Sequence, residues 1–127
     1  MQVQRNPLID ALNTLVYACH KPAVDGGWWT DLETGLPKDR NPGELIALIH
    51  SELSEMLEGV RKSKMDDHLP HLTAEAVEGA DTLIRLFDYF GGRKIDVATA
   101  FIEKLAYNAQ RADHKIANRK LADGKKF

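Results

Sequence analysis

Asn41-Pro42-Gly43-Glu44-Leu45-Ile46-Ala47-Leu48-Ile49-His50-Ser51-Glu52-Leu53-Ser54-Glu55-Met56-Leu57-Glu58-Gly59-Val60 is the stretch that decides the fold. Asn41 is a capping residue, Pro42 suits a first helical turn, and Glu44 stands where it can reach back in a capping box. Leu45, Ile49, Leu53, Met56 and Val60 then recur at the period of an amphipathic helix. Two acids, Glu52 and Glu55, are set three residues apart within it. That step turns a helix by about 300°, so both side chains project from neighbouring positions on one face. Glu52 borders the apolar stripe, Glu55 lies one step further round, and Glu58 is opposite.

A second helix is predicted downstream, capped by Thr73, with the stripe Val77, Ala80, Ile84 and Phe87 and a stop at Gly91-Gly92. It carries a second pair at the same spacing, Glu78-Gly-Ala-Asp81, within a polar stripe Glu78, Asp81, Arg85 and Asp88. Upstream, Asn6-Pro7 starts a helix through Leu8, Leu12, Leu15, Val16 and Cys19, which Lys21 and Pro22 are expected to end. Downstream, a last long helix is expected from Asp96 through Phe101, Leu105, Ala109 and Ala112 toward Ile116. No strand alternation stands out. The expected architecture is therefore all-α, a four-helix antiparallel bundle forming a single domain over 1–127, with a long loop at 21–40, a connection at 63–72 and a basic, mobile tail at 117–127. Further apolar residues beside the stripes, such as Leu48 and Leu86, point to association into a dimer or tetramer.

The 127 residues suit one domain with a modest core. A net charge of −2 hides an asymmetry, because residues 111–127 carry six basic and two acidic side chains on an otherwise acidic chain. That polarity is too small for a duplex nucleic-acid binder and suits a polyanionic small ligand held against metal ions. The single cysteine, Cys19, excludes an intrachain disulfide and reads as a core residue. The start, MQVQRNPLID, lacks the apolar run of a signal peptide, and no stretch is long enough to span a bilayer, so a cytoplasmic protein without a membrane partner is expected.

Four carboxylates, Glu52, Glu55, Glu78 and Asp81, can converge from two consecutive helices. Their mutual repulsion disfavours this unless a divalent cation, Mg²⁺ or Mn²⁺, binds among them. The alternative is a pair of solvated faces, with Asp81 and Arg85 as an ordinary i,i+4 ion pair worth about 0.3 kcal/mol. On the last helix Lys104, Asn108, Arg111 and Lys115 recur at steps of four, three and four, with Tyr107 beside them. Opposite an acidic metal cluster, such a stripe reads as a phosphate-binding face. In the long loop, Trp28 and Trp29 are placed either to stack on a nucleobase or to cover the end of the bundle. His50 is expected in the core or at an interface, and His68 and His71 in solvent. Arg61, Lys62 and Lys64 complement a helix dipole. A ferritin-like di-iron bundle needs Glu-x-x-His pairs and an HD-type phosphohydrolase a His-Asp dipeptide; the chain has neither.

Glu52-x-x-Glu55 followed by Glu78-x-x-Asp81 resembles the EExxE…ExxD signature of the MazG-like, all-α nucleoside triphosphate pyrophosphohydrolases. The run Lys104-Leu-Ala-Tyr107-Asn108-Ala-Gln-Arg111-Ala-Asp-His114-Lys115 looks like that family's phosphate-contacting last helix, and the resemblance covers residues 41–127. It implies hydrolysis between the α and β phosphates to a nucleoside monophosphate and pyrophosphate. It also implies Mg²⁺ held by Glu52, Glu55, Glu78 and Asp81, catalytic roles for Glu55 and Glu52 with Glu55 doubling as general base, and sites shared between subunits. Ser51 departs from the pattern by occupying the position of the first Glu. The competing reading is a non-catalytic helical module that binds nucleotides or oligomerises.

Overall fold

The computed structural model describes residues 6–127, so the first five residues of the N-terminal stretch read above lie outside it. The described chain is all-helical. α1 spans Pro7–Asp25, α2 Pro42–Arg61, α3 Ala74–Arg93 and α4 Val97–Gln110, followed by a 3-10 turn at Ala112–His114 and a short α5, Ile116–Arg119. Among the described residues, β structure is limited to two isolated antiparallel bridges, Thr30 with Pro37 and Met65 with Thr73. The chain forms two compact units, Thr14–Ile95 and Met1–Asn13 with Asp96–Phe127.

The larger unit is built on α2 packed antiparallel against α3. Both start as their sequences direct: the Asn41 side chain accepts from Glu44 N at 3.1 Å, and Thr73 Oγ1 accepts from Ala76 N at 3.2 Å. The buried side of α2 runs Leu45, Ile49, Glu52, Met56 and Gly59, in steps of four, three, four and three. Leu53 and Val60, expected on that stripe, are instead about half exposed. At Gly59 the helices approach so closely that an added Cβ would lie 2.8 Å from Ala74 Cβ and 3.2 Å from Glu75 N. One turn away Gly79 faces Met56, with Sδ 3.6 Å from where a Cβ would sit.

The stripe of α3 that meets α2 is Ala74, Glu78, Asp81 and Arg85, not the apolar one. Ile84 is left exposed, and Val77 and Phe87 are only partly covered. A polar seam of this kind, flanked by uncovered Leu57, Val60 and Leu83, contains less apolar burial than a helix pair ordinarily uses.

Two helix ends differ from expectation. α1 continues past Pro22 to Asp25, because a proline three residues from the end interrupts little of the remaining ladder. Its closing carbonyls are taken by the next residues, with Gly26 N on Pro22 O at 2.9 Å and Trp28 N on Ala23 O at 3.0 Å, and Gly27 turns the chain at φ 83°. α3 likewise includes Gly91 and Gly92 and ends at Arg93, capped by Lys94, which adopts the left-handed conformation at φ 55°. The glycines serve close approach instead of termination. An added Cβ at Gly91 would meet the His20 ring at 2.6 Å, and one at Gly92 would overlap the Trp29 ring.

The connection 63–72 is closed by Asp66, whose Oδ2 accepts from His68 N and Leu69 N at 2.9 and 2.7 Å. In the loop after α1, Asp31 does the same for Glu33 and Thr34, and these bonds hold its carboxyl below the usual range.

In the smaller unit Asp96 caps α4, accepting from Thr99 N at 3.1 Å and Thr99 Oγ1 at 2.7 Å, and Ala98 is fully buried. α4 ends at Gln110, well short of Ile116. Arg111 is extended (φ −69°, ψ 128°), and its guanidinium grips Asp113 through two bonds of 3.0 and 2.7 Å. Lys115 Nζ donates to Ala109 O at 2.9 Å, capping the freed end of the helix. The last residues fold back on α5, with Lys126 Nζ donating to Arg119 O and Leu121 O at 3.0 Å.

Candidate metal centre

Glu52 and Glu55 come from the middle of α2 and Glu78 from the first turns of α3. Antiparallel packing brings their carboxylates together, so that one oxygen from each lies within 4.8 Å of the others. Glu52 is buried at 9% exposure, Glu78 is half-buried and Glu55 opens to solvent. Three negative charges at this spacing repel, and two features relieve them. Arg85 Nε donates to Glu52 Oε1 at 2.6 Å across the seam. Desolvation, a hydrogen bond shared with Glu52 and the charge of Glu55 together push the Glu78 carboxyl up to about 7. A cation of the right size among the three oxygens would relieve the same repulsion.

Asp81, the fourth expected ligand, is not one of the three converging acids. It lies beside them, its carboxyl raised by burial and by the nearby Glu52 charge. The Asp81–Arg85 ion pair of the alternative, solvated-face reading gives way to Arg85–Glu52, because Arg85 points across the seam to a buried acid that lacks water. Ser51, at the position of the missing Glu, spends its hydroxyl on Leu48 O at 2.6 Å. His50 is exposed on α2, not buried in a core.

Glu52 and Asp81 also line a cleft of about 650 Å³ within the larger unit, together with Trp28, Arg40, Arg85 and Asp88. Asp88 organises its far end. Its Oδ1 accepts from Trp29 Nε1 at 2.9 Å and pairs with His20 Nδ1 at 2.8 Å, while His20 meets the Trp29 ring edge-on. Trp29 is therefore a structural indole, seated on Gly92, whereas Trp28 is 65% exposed at the cleft. Cys19 is half-buried in the cleft wall, its thiol kept protonated by burial and the Asp88 charge.

Of the expected phosphate contacts, Lys104, Asn108, Arg111 and Lys115 all belong to the smaller unit. They do not form one helix face, since α4 ends before Arg111. Lys104 Nζ lies 4.7 Å from the Tyr107 ring centre, Arg111 is held by Asp113, and Asn108 Oδ1 is buried with no hydrogen-bond partner among the described residues.

Arg85, Arg40, His20 and Asp88 were not singled out as site residues. For Arg85 and Asp88 the signal was present, since they continue the Glu78–Asp81 stripe that turns out to face α2. Arg40 and His20 carry no such pattern. Comparison with protein-family models, with curated proteins and with solved structures returns no match in any of the three. Among the described residues, no helix is long and apolar enough to cross a membrane.

The raised Glu78 carboxyl predicts how stability depends on pH. Its folded pKa of about 7 lies above the ordinary 4.5, so the folded chain keeps a proton that the unfolded chain releases. The associated stability is fully present below about 4.5 and is lost as pH rises through about 7. In EDTA the melting temperature should fall between about pH 5 and pH 8, and Mg²⁺ or Mn²⁺ should raise it more at the upper end, where the cation no longer displaces a proton. Differential scanning fluorimetry across that range measures both effects.

Proposed function

We propose that the chain is a Mg²⁺-dependent nucleoside triphosphate pyrophosphohydrolase of MazG-like type, cleaving between the α and β phosphates. The observation that carries this reading is the convergence of Glu52, Glu55 and Glu78 from two helices within 4.8 Å. Three carboxylate oxygens form a hard donor set suited to Mg²⁺ or Mn²⁺, so the residues fit the ion. Glu52, Glu55 and Glu78 would hold it, with Asp81 at the margin. A divalent cation there supplies Lewis-acid stabilisation of charge on phosphate oxygens.

The chain's own residues do the rest. Glu55, the most exposed of the three, is the group best placed to accept a proton from an attacking water. Arg85 holds Glu52 in place through its Nε. The neighbouring cleft, large enough for a nucleoside, extends from Glu52 and Asp81 to Trp28. Lys104, Asn108, Arg111 and Lys115 of the smaller unit are proposed as phosphate-binding residues in their own right, with Arg111 exchanging Asp113 for a phosphate. Exposed Leu57, Val60, Leu83 and Ile84 on α2 and α3 support further helix packing and assembly into a homodimer or homotetramer.

The test is pyrophosphate release from a panel of ribo- and deoxyribonucleoside triphosphates. Release that requires Mg²⁺ or Mn²⁺ and stops in EDTA is the expected result. Tight nucleotide binding with no release under any metal would replace the enzyme with a nucleotide-binding module.

A further inference from the structure

Arg40 is half-buried, and no carboxylate pairs with its guanidinium among the described residues. It is held instead by aromatic faces, its Cζ lying 5.0 Å from the Trp29 ring centre and 6.0 Å from that of Trp28. A cation lying over a ring spends no N–H donor on it, so the guanidinium donors of Arg40 remain for another partner. Arg40 and Trp28 both line the cleft that also holds Glu52 and Asp81. The distance along the fold is informative. Asp88, which anchors Trp29 beneath Arg40, lies ten residues beyond Glu78 on α3, a rise of about 15 Å. That is roughly the reach from the metal-bound phosphates of a triphosphate through the sugar to the edge of a base.

Resting on the nucleotide reading above, we infer that Arg40 is a specificity-determining residue that grips the base edge through two parallel N–H donors while Trp28 stacks on the base. Only bases with two adjacent acceptors match a guanidinium fork. Guanine offers O6 and N7, and cytosine offers O2 and N3. Adenine places an amino donor beside N7, and uracil and thymine place an N–H between their carbonyls. The site therefore selects guanine and cytosine nucleotides.

The experiment is binding of GMP, CMP, AMP and UMP to the full-length protein in EDTA, followed by quenching of tryptophan fluorescence and by calorimetry. No turnover or metal is involved, so the result stands apart from the hydrolytic assay. GMP and CMP should bind roughly tenfold or more tighter than AMP and UMP. Arg40→Gln and Arg40→Lys, the latter keeping the charge but losing the fork, should both remove that margin with the melting temperature unchanged. Equal binding of all four by the native chain, or a preference that survives both substitutions, would overturn the inference. Metal-dependent hydrolysis that ignores the base would overturn it while leaving the hydrolytic reading intact.

Discussion

Glu55→Gln is expected to fold as the native chain does and to lose at least about 100-fold in kcat/KM, equivalent to about 2.7 kcal/mol of transition-state stabilisation. Glu55 is exposed and lies outside the buried α2 seam, so packing changes little. What changes is charge. Removing Glu55 takes away one of the influences that push Glu78 upward, so its carboxyl should move back toward the ordinary range. The variant should then be as stable as the native chain in EDTA or slightly more so, yet gain little from added Mg²⁺. Those two responses run in opposite directions, which a general folding defect would not produce. Turnover and metal stabilisation both at native level would remove Glu55 from the centre.

The second large effect is expected at Gly59. An added methyl there would press on Ala74 Cβ at 2.8 Å and on the backbone of Glu75 at 3.2 Å. Neither can rotate away, so the start of α3 must move from α2. Overpacking of this kind costs about 1–3 kcal/mol, against which the better helix propensity of alanine returns up to about 1 kcal/mol. With the full offset, Gly59→Ala should therefore lower stability by up to about 2 kcal/mol in urea unfolding. The displacement also reaches the chemistry. Glu78 lies one turn beyond Ala74 and would be drawn away from Glu52 and Glu55, weakening Mg²⁺ stabilisation as well. A variant as stable as the native chain would show that the seam is looser than the geometry implies.

The helices themselves were legible because their starts are written in short-range chemistry. Asn6, Asn41, Thr73 and Asp96 all cap as expected, each bonding to a backbone N–H two or three residues on. The ends were less legible. Pro22 and Gly91-Gly92 look like breakers, but the helix runs on past Pro22 until Gly26 and Trp28 take its closing carbonyls, and the glycines are used by rings arriving from elsewhere in the chain. The end of α4 was missed for a related reason, since the Arg111–Asp113 pair competes with helix only once the turn is made.

At the site, spacing alone placed Glu52 beside Glu55 on α2 and Glu78 beside Asp81 on α3, because a three-residue step has one geometric meaning in a helix. It could not show which stripe of α3 would face α2. The hydrophobic pattern favoured Val77, Ala80, Ile84 and Phe87, yet Glu52 on α2 recruits Arg85, and the polar stripe is the one that turns inward. Asp88 and its partners His20 and Trp29 are brought together across 59 and 68 positions of sequence, a distance over which no local pattern reports.

The glycine pair closing α3 bears on how the two ends of the cleft keep their spacing. With no side chains at 91 and 92, the indole and imidazole rest directly on main-chain atoms, whose positions are set by the helical hydrogen-bond ladder. The ruler between acids and indole is thus a length of helical main chain with no side chain interposed at its far end.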